Sequence, residues 1–287
     1  MPSPIRNLSE LVDGLGAIFG GTVSSEIRDY SNFGDTIDLS VNFPSNLHTR
    51  MLDGNDIVTL SNIVVGGFSN KINGNRGDDR ITSKVGSLTR DFILGGSEND
   101  IIDLSNSISG ADWQNGNNGN DIITGAASKV KSILRGGSEN DTIIISGGAD
   151  HIAVGDLGID SIDLTAAGNP HVVLRTDNGA APANKVEADS IISWSGLLDK
   201  AYVPGVNSTA DLFVEASGAD TYLFANAFTN GTIGKRYIAK FVAKTPAAIQ
   251  ADINGGKFIV GALANSALAA LNPTNFLNDP NLGGIFV

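Results

Sequence analysis

Gly95-Gly96-Ser97-Glu98-Asn99-Asp100-Ile101-Ile102 decides how this chain folds, because near copies of it stand on both sides. Before it comes Gly74-Asn75-Arg76-Gly77-Asp78-Asp79-Arg80-Ile81. After it come Gly116-Asn117-Asn118-Gly119-Asn120-Asp121-Ile122-Ile123, Gly136-Gly137-Ser138-Glu139-Asn140-Asp141-Thr142-Ile143 and Gly155-Asp156-Leu157-Gly158-Ile159-Asp160-Ser161-Ile162. Partial copies lie upstream at Gly54-Asn55-Asp56-Ile57-Val58 and Gly34-Asp35-Thr36-Ile37. With the aspartate as phase marker the copies fall at positions 35, 56, 79, 100, 121, 141 and 160, a period of about 21 residues.

Each copy has two halves. Glycine and asparagine tolerate left-handed backbone, so the first half reads as a tight turn, and Asp-x-Ile then opens a strand whose alternate residues face opposite sides. About 21 residues hold two short strands and two turns, and stacking such coils pairs each strand with its equivalent in the next. The expectation is an all-β protein, a parallel β-solenoid. Val58, Ile81, Ile102, Ile123, Ile143 and Ile162 should form one internal column, and Ile72, Ile93 and Leu134 another, interrupted by Gln114 and Ala153.

The pattern Gly-Gly-x-Gly-x-Asp-x-(apolar)-x resembles that of the RTX family, bacterial calcium-binding nonapeptide-repeat proteins. The resemblance is close over residues 74–162 and degenerate over 34–73 and 163–225. It implies a β-roll in which turns of neighbouring coils clasp calcium between aspartate carboxylates and backbone carbonyls. Carried onto this sequence, the implied ligands are Asp56, Asp79, Asp100, Asp121, Asp141 and Asp160. The implied carbonyls belong to the turn glycines Gly74, Gly77, Gly95, Gly96, Gly116, Gly119, Gly136, Gly137, Gly155 and Gly158. Carboxylates stacked at the ~4.8 Å spacing of a solenoid repel, and a hard dication with oxygen ligands would hold them. An Asn/Asp/Gly column can also be purely structural. Family rolls bear the motif on both flanks, whereas here it recurs once per coil and the opposite flank lacks an aspartate column, so the calcium turns are expected mainly on one flank. Gly148-Ala149-Asp150 is the single candidate for a far-flank site, and Glu98 and Glu139 replace a family glycine.

Composition narrows the function. There are 31 acidic and 19 basic residues, a net charge of −12, which argues against nucleic acid and for cations as partners. With no cysteine, disulfides, thiolate metal sites and cysteine nucleophiles are excluded. No stretch of about 18 apolar residues exists to span a membrane. There is no His-Glu-x-x-His, no Gly-x-Ser-x-Gly and no phosphate-cradling loop, so no enzyme is expected. His48, His151 and His171 read as loop or surface residues.

Four regions are expected: an N-terminal cap or assembly segment (1–30), the calcium-binding β-roll (31–165), a degenerate continuation of the solenoid (166–225), and a small mixed α/β C-terminal cap with a secretion-signal region (226–287). In the last, Arg236 to Lys244 and Lys257 to Val260 read as strands, and Pro246 to Asp252 and Leu263 to Leu271 as short helices. The first residues do not read as a cleaved secretory leader, and none is expected. The final Gly283-Gly284-Ile285-Phe286-Val287 resembles the apolar end of type I secreted RTX proteins. The resulting expectation is a secreted, extracellular or cell-surface structural protein that folds on calcium and self-assembles into a filament or surface-layer lattice. The alternative is a calcium-dependent adhesin or glycan-binding module using Trp113, Trp194 and the tyrosines as stacking platforms.

Overall fold

The computed structural model describes residues 27–39, 48–60, 70–88, 91–108, 112–127, 131–147, 151–176 and 180–271. Within them the chain coils between two parallel sheets. Sheet A takes the first strand of each coil: β1 (Ile27–Asp29), β3 (His48–Arg50), β5 (Asn70–Arg76), β7 (Asp91–Ser97), β9 (Trp113–Asn118), β11 (Ile133–Ser138), β13 (Ile152–Leu157), β15 (His171–Val173) and β17 (Lys200–Tyr202), ending on β21 (Phe258–Ile259). Sheet B takes the second: β2 (Thr36–Asp38), β4 (Ile57–Thr59), β6 (Arg80–Thr82), β8 (Ile101–Asp103), β10 (Ile122–Thr124), β12 (Thr142–Ile144), β14 (Ser161–Asp163) and β16 (Ser190–Ile192). The expected all-β parallel solenoid is the fold.

Register follows from the period. Ile123 pairs with Ile102 on one side and Ile143 on the other, and the file runs from Ile37 through Val58 and Ile81 to Ile162 and Ile191. Every coil must place its branched apolar residue inward, since a one-residue slip would turn it to solvent. The facing file on sheet A is Ile72, Ile93, Gln114, Leu134, Ala153, Val172 and Ala201. Gln114 and Ala153 interrupt it as the sequence suggested, and both are fully buried.

Beyond β16 the topology changes. β20 (Ile233–Phe241) continues sheet B in parallel, and β19 (Asp220–Ala227) and β18 (Leu212–Ser217) then add antiparallel. Helix α1 (Pro246–Asn254) starts at Thr245, whose hydroxyl accepts the Ala248 N–H, with Pro246 in the first turn. It packs Ile249 and Ile253 into the solenoid core. Trp194 beneath it lies edge-on to Phe241 and donates its indole N–H to Asp252 at 2.9 Å. This end of the solenoid core is therefore covered. Helix α2 (Gly261–Ala270) follows β21. No helix among the described residues is long and apolar enough to cross a membrane.

Strand β10 offers a direct check of the inward rule. Ile123 is fully buried and Ile122 is exposed. Ile123→Ala should lower unfolding free energy by about 2–5 kcal/mol and Ile122→Ala by less than about 1 kcal/mol in urea denaturation.

Candidate functional site

The tight turn between the two strands of each coil concentrates the repeat's polar residues. Its last aspartate points into the solenoid, and Asp56, Asp79, Asp100, Asp121, Asp141 and Asp160 are all buried, stacked in one file. Each uses one carboxylate oxygen in the same way. Asp79 donates its backbone N–H to Asp100 Oδ1 at 2.8 Å, Asp100 to Asp121 at 2.7 Å, Asp121 to Asp141 at 2.8 Å and Asp141 to Asp160 at 2.8 Å. Upstream, Asp35 donates to Asp56 and Asp56 to Asp79. The file starts at Asp35, whose own carboxylate accepts the Ser31 N–H and hydroxyl. It continues one step past the repeats, because the Asp160 N–H reaches Asp189 Oδ1 at 2.9 Å.

The second oxygen is stranded. Oδ2 of Asp56, Asp79, Asp100, Asp121, Asp141 and Asp160 is buried with no hydrogen-bond partner. For Asp79, Asp100, Asp121, Asp141 and Asp160 it lies against the first glycine of its own turn, and for the first four a carbonyl oxygen of the next coil borders the same space. A Cβ on Gly74 would sit 2.1 Å from Asp79 Oδ2 and 2.2 Å from the Gly95 carbonyl oxygen. At Gly95 the neighbours are Asp100 Oδ2 and the Gly116 carbonyl, at Gly116 they are Asp121 Oδ2 and the Gly136 carbonyl, and at Gly136 they are Asp141 Oδ2 and the Gly155 carbonyl. Only glycine leaves room for this approach. A buried acceptor left in such a space is satisfied by a proton, a water or a cation.

Electrostatics agrees with the geometry. Burial, reinforced by neighbouring carboxylates, raises Asp79 to about 7, Asp100 to about 9 and Asp141 to about 8. Burial likewise lifts Asp121 and Asp160 to about 6. Asp56 and Asp189 are also raised, again chiefly by burial. The bonds from backbone N–H groups act in the opposite direction and are outweighed.

The other turn glycines have a different task. Gly77, Gly96, Gly119, Gly137 and Gly158 have φ between 119° and 147°, and a Cβ on any of them would strike backbone of the preceding turn. They permit close stacking and do not face the stranded oxygens. Glu98 and Glu139 occupy the left-handed position that Gly77, Gly119 and Gly158 take in alternate coils. Glu98 is exposed and accepts hydrogen bonds from the Gly77 N–H and the Ser97 hydroxyl, each at 2.9 Å, so it staples two coils.

Two further ladders escaped the sequence reading. Outside the aspartate file, the N–H of Asp78 bonds to the Asn55 side chain, Asn99 to Asp78, Asn120 to Asn99, Asn140 to Asn120 and Ile159 to Asn140, in the opposite sense to the inner file. On the far flank, Asp91 N–H bonds to Asp112 Oδ1, Asp112 N–H to Ser132 Oγ and Ser132 N–H to His151 Nδ1, with the Asn70 side chain donating to Asp91 at the start. All five far-flank residues are buried. The available signal was position: each stands two residues before an inner residue of sheet A. His151 and His171 are thus buried, not the loop or surface histidines expected, because strand alternation and the covered face of sheet A enclose them. Trp113, Trp194, Tyr202, Tyr222 and Tyr237 are buried too, so they provide no exposed stacking platform. Asp150 and Gly148 lie outside the described residues, as do the N-terminal segment before residue 27 and the C-terminal residues 272–287.

Compared with known proteins, the chain matches no family model and no curated protein.

Among the described residues no three carboxylates or histidines converge on one point. An ion in the file would therefore draw on carbonyl oxygens as well as on one carboxylate. That donor set, all oxygen, fits a hard cation.

The raised carboxyls fix how the metal-free protein responds to pH. The folded file binds protons at pH values where the unfolded chain, near 3.9, has released them, so this contribution to stability is greatest below about pH 4 and is lost as pH rises from there to about 9. With chelator present, the β signal by circular dichroism should be stronger at pH 5 than at pH 8. Equal signals would show that the file does not titrate on unfolding.

Proposed function

We propose that this chain is an extracellular structural protein whose solenoid is completed by calcium along its aspartate file. The observation that carries this reading is the stranded, buried Oδ2 repeated along the file, with a glycine carbonyl of the next coil bordering the same space at Asp79, Asp100, Asp121 and Asp141. The residues that would hold the ions are Asp79, Asp100, Asp121 and Asp141 with the carbonyls of Gly95, Gly116, Gly136 and Gly155, and Asp56 and Asp160 extend the file. Calcium supplies a compact double positive charge to a column of oxygen acceptors, which a buried carboxylate requires if it is to stay ionised.

The calcium dependence suits export. In a calcium-poor cytosol at neutral pH the file repels itself and the chain stays largely unstructured; outside, sites with dissociation constants of about 10⁻⁴ M fill at ~10⁻² M calcium, each adding roughly 2.7 kcal/mol. Type I secretion of the unfolded chain is the route that the RTX resemblance brings to this reading. The aspartates of the file are turned inward and joined from coil to coil, as befits a scaffold, and assembly into a filament or surface lattice is the role we assign. With the tryptophans inside, the glycan-binding alternative loses the residues on which it rested.

The test compares wild type with Asp121→Asn at pH 8. The amide keeps an oxygen for the Asp100 N–H and offers an N–H₂ to the Gly136 carbonyl. In chelator, Asp121→Asn should show more β signal than wild type; in 10 mM calcium it should melt lower, because one ion is lost. Wild type should pass from coil to β by circular dichroism on adding calcium and form larger assemblies by light scattering. Identical wild-type spectra and melting in calcium and in excess chelator refute the calcium reading. Monodisperse monomers in both refute assembly.

A further inference from the structure

Strand β18 ends sheet B, and among the described residues β19 is its single neighbour. Its inner face is anchored, because Leu212 and Val214 pack in the core cluster with Ile249 and Ile253 of helix α1. Its outer face is also engaged. Glu215 accepts hydrogen bonds from Tyr237 Oη at 3.0 Å and from Lys235, and the Phe213 ring stacks on Phe224 at 5.5 Å and 25°. The strand's free edge, by contrast, has none of the devices that keep an edge from pairing again. Leu212-Phe213-Val214-Glu215-Ala216-Ser217 contains no proline, lysine or arginine. It runs against β19 without a register shift, whereas the pairing of β19 with β20 is interrupted.

The turn fixes which backbone groups face outward. Gly218-Ala219, with Gly218 at φ 65°, joins β18 to β19, and a two-residue turn of this kind is flanked by a hydrogen-bonded pair, here Ser217 and Asp220. Counting back, Ser217, Glu215 and Phe213 direct their N–H and C=O groups to β19, and Ala216, Val214 and Leu212 direct theirs away from it. Leu212 agrees with this count, since its N–H turns back to the Thr209 carbonyl. That leaves the N–H groups of Val214 and Ala216 and three carbonyls along the edge, and no described backbone group outside sheet B bonds to Val214 or Ala216.

We propose that β18 pairs antiparallel with β18 of a second copy, about a two-fold axis that sets Val214 opposite Val214 and joins two solenoids at their C-terminal ends. The two Val214 residues exchange both of their bonds, and each Ala216 N–H meets the Leu212 carbonyl of the other copy, so every outward N–H of the strand is satisfied. Opposed side chains then share a face, Phe213 beside Glu215 and Leu212 beside Ala216. Charge selects this register. Moving the axis one residue toward Ser217 would set Glu215 against Glu215, and moving it one residue toward Leu212 would set Asp211 against Glu215, both like-charge pairs. A second copy also fits the length of the edge: β18 has six residues, whereas β2, at the opposite end of sheet B, offers three. The contact rests on the assembly reading above and names its joint; it does not depend on which ion fills the aspartate file.

The chain has no cysteine, so single cysteines report the axis directly. In the full chain in ~10 mM calcium, Val214→Cys should give a bridged dimer on mild oxidation, reversed by reductant, because the Cα atoms of a hydrogen-bonded antiparallel pair lie ~5.5 Å apart. Ser217→Cys, ~20 Å from its mate in this register, should not bridge. Ala216→Lys adds an edge charge and Ala216→Pro removes only an outward N–H; each should keep the β spectrum and weaken association in sedimentation about tenfold or more. Wild-type dimers that grow no further would support the contact and overturn the filament. Assemblies that survive both Ala216 variants, that leave Val214→Cys unbridged, or that bridge Ser217→Cys as readily, overturn the β18 contact and leave assembly itself standing. A wild type that stays monomeric overturns both, and the cysteines decide the matter even if an Ala216 variant fails to fold.

Discussion

The bond from each turn's backbone N–H to the carboxylate of the next coil governs this molecule. Parallel stacking puts the same turn above itself every ~4.8 Å, and a turn bent tightly enough to reverse the chain cannot satisfy its own amides. The neighbouring coil has to supply the acceptors. The inner file points its bonds toward the C-terminal coils and the outer asparagine ladder toward the N-terminal ones, so each turn is tied in both directions and cannot slide. The consequence of choosing aspartate is a carboxylate oxygen left inside the protein, once per coil.

The far flank solves the same geometric problem with other chemistry. Asp112, Ser132 and His151 all accept a backbone N–H from the coil before, through a carboxylate, a hydroxyl and an imidazole in turn. Any side-chain acceptor of suitable reach serves there. On the near flank the acceptor is aspartate at every step from Asp56 to Asp189, although serine or asparagine would complete the ladder without stranding an oxygen. That uniformity is hard to attribute to hydrogen bonding alone, and it adds support to the proposal that the file holds a cation.

Much of this was legible in the sequence, and the limits have physical causes. The period fixed the inward file from Val58 to Ile162, since identical residues at identical phase must stack, and the same reasoning located the buried aspartates. Strand and helix positions in the C-terminal cap followed from the periodicity of residues 236–271. Asp189 was harder to recognise because 29 residues separate it from Asp160, although its stacking is unchanged. The far-flank ladder escaped because its members share a location and not a residue type. Burial of Trp113 was not readable from its strand at all, since alternation alone places it at the surface and only the covering of sheet A removes it from solvent. The two glycine classes also looked alike in sequence and separate only when their neighbours in space are known.

The left-handed residues of the turn carry a rule of parity. From coil to coil, Asn75, Gly96, Asn117, Gly137 and Asp156 alternate at one position while Gly77, Glu98, Gly119, Glu139 and Gly158 alternate at another. A glycine sits opposite a residue with a side chain: Gly119 against the backbone of Glu98, Gly137 against Asn117, and Gly158 against Glu139. Between residues 74 and 160 the unit that repeats is thus a pair of coils, not one. Excising residues 116–135 would seat Glu139 on Glu98 with no glycine at either, whereas adding or removing two coils together would leave every contact matched. The rod can change length in double steps more readily than in single ones, which makes a two-coil segment the natural module of duplication.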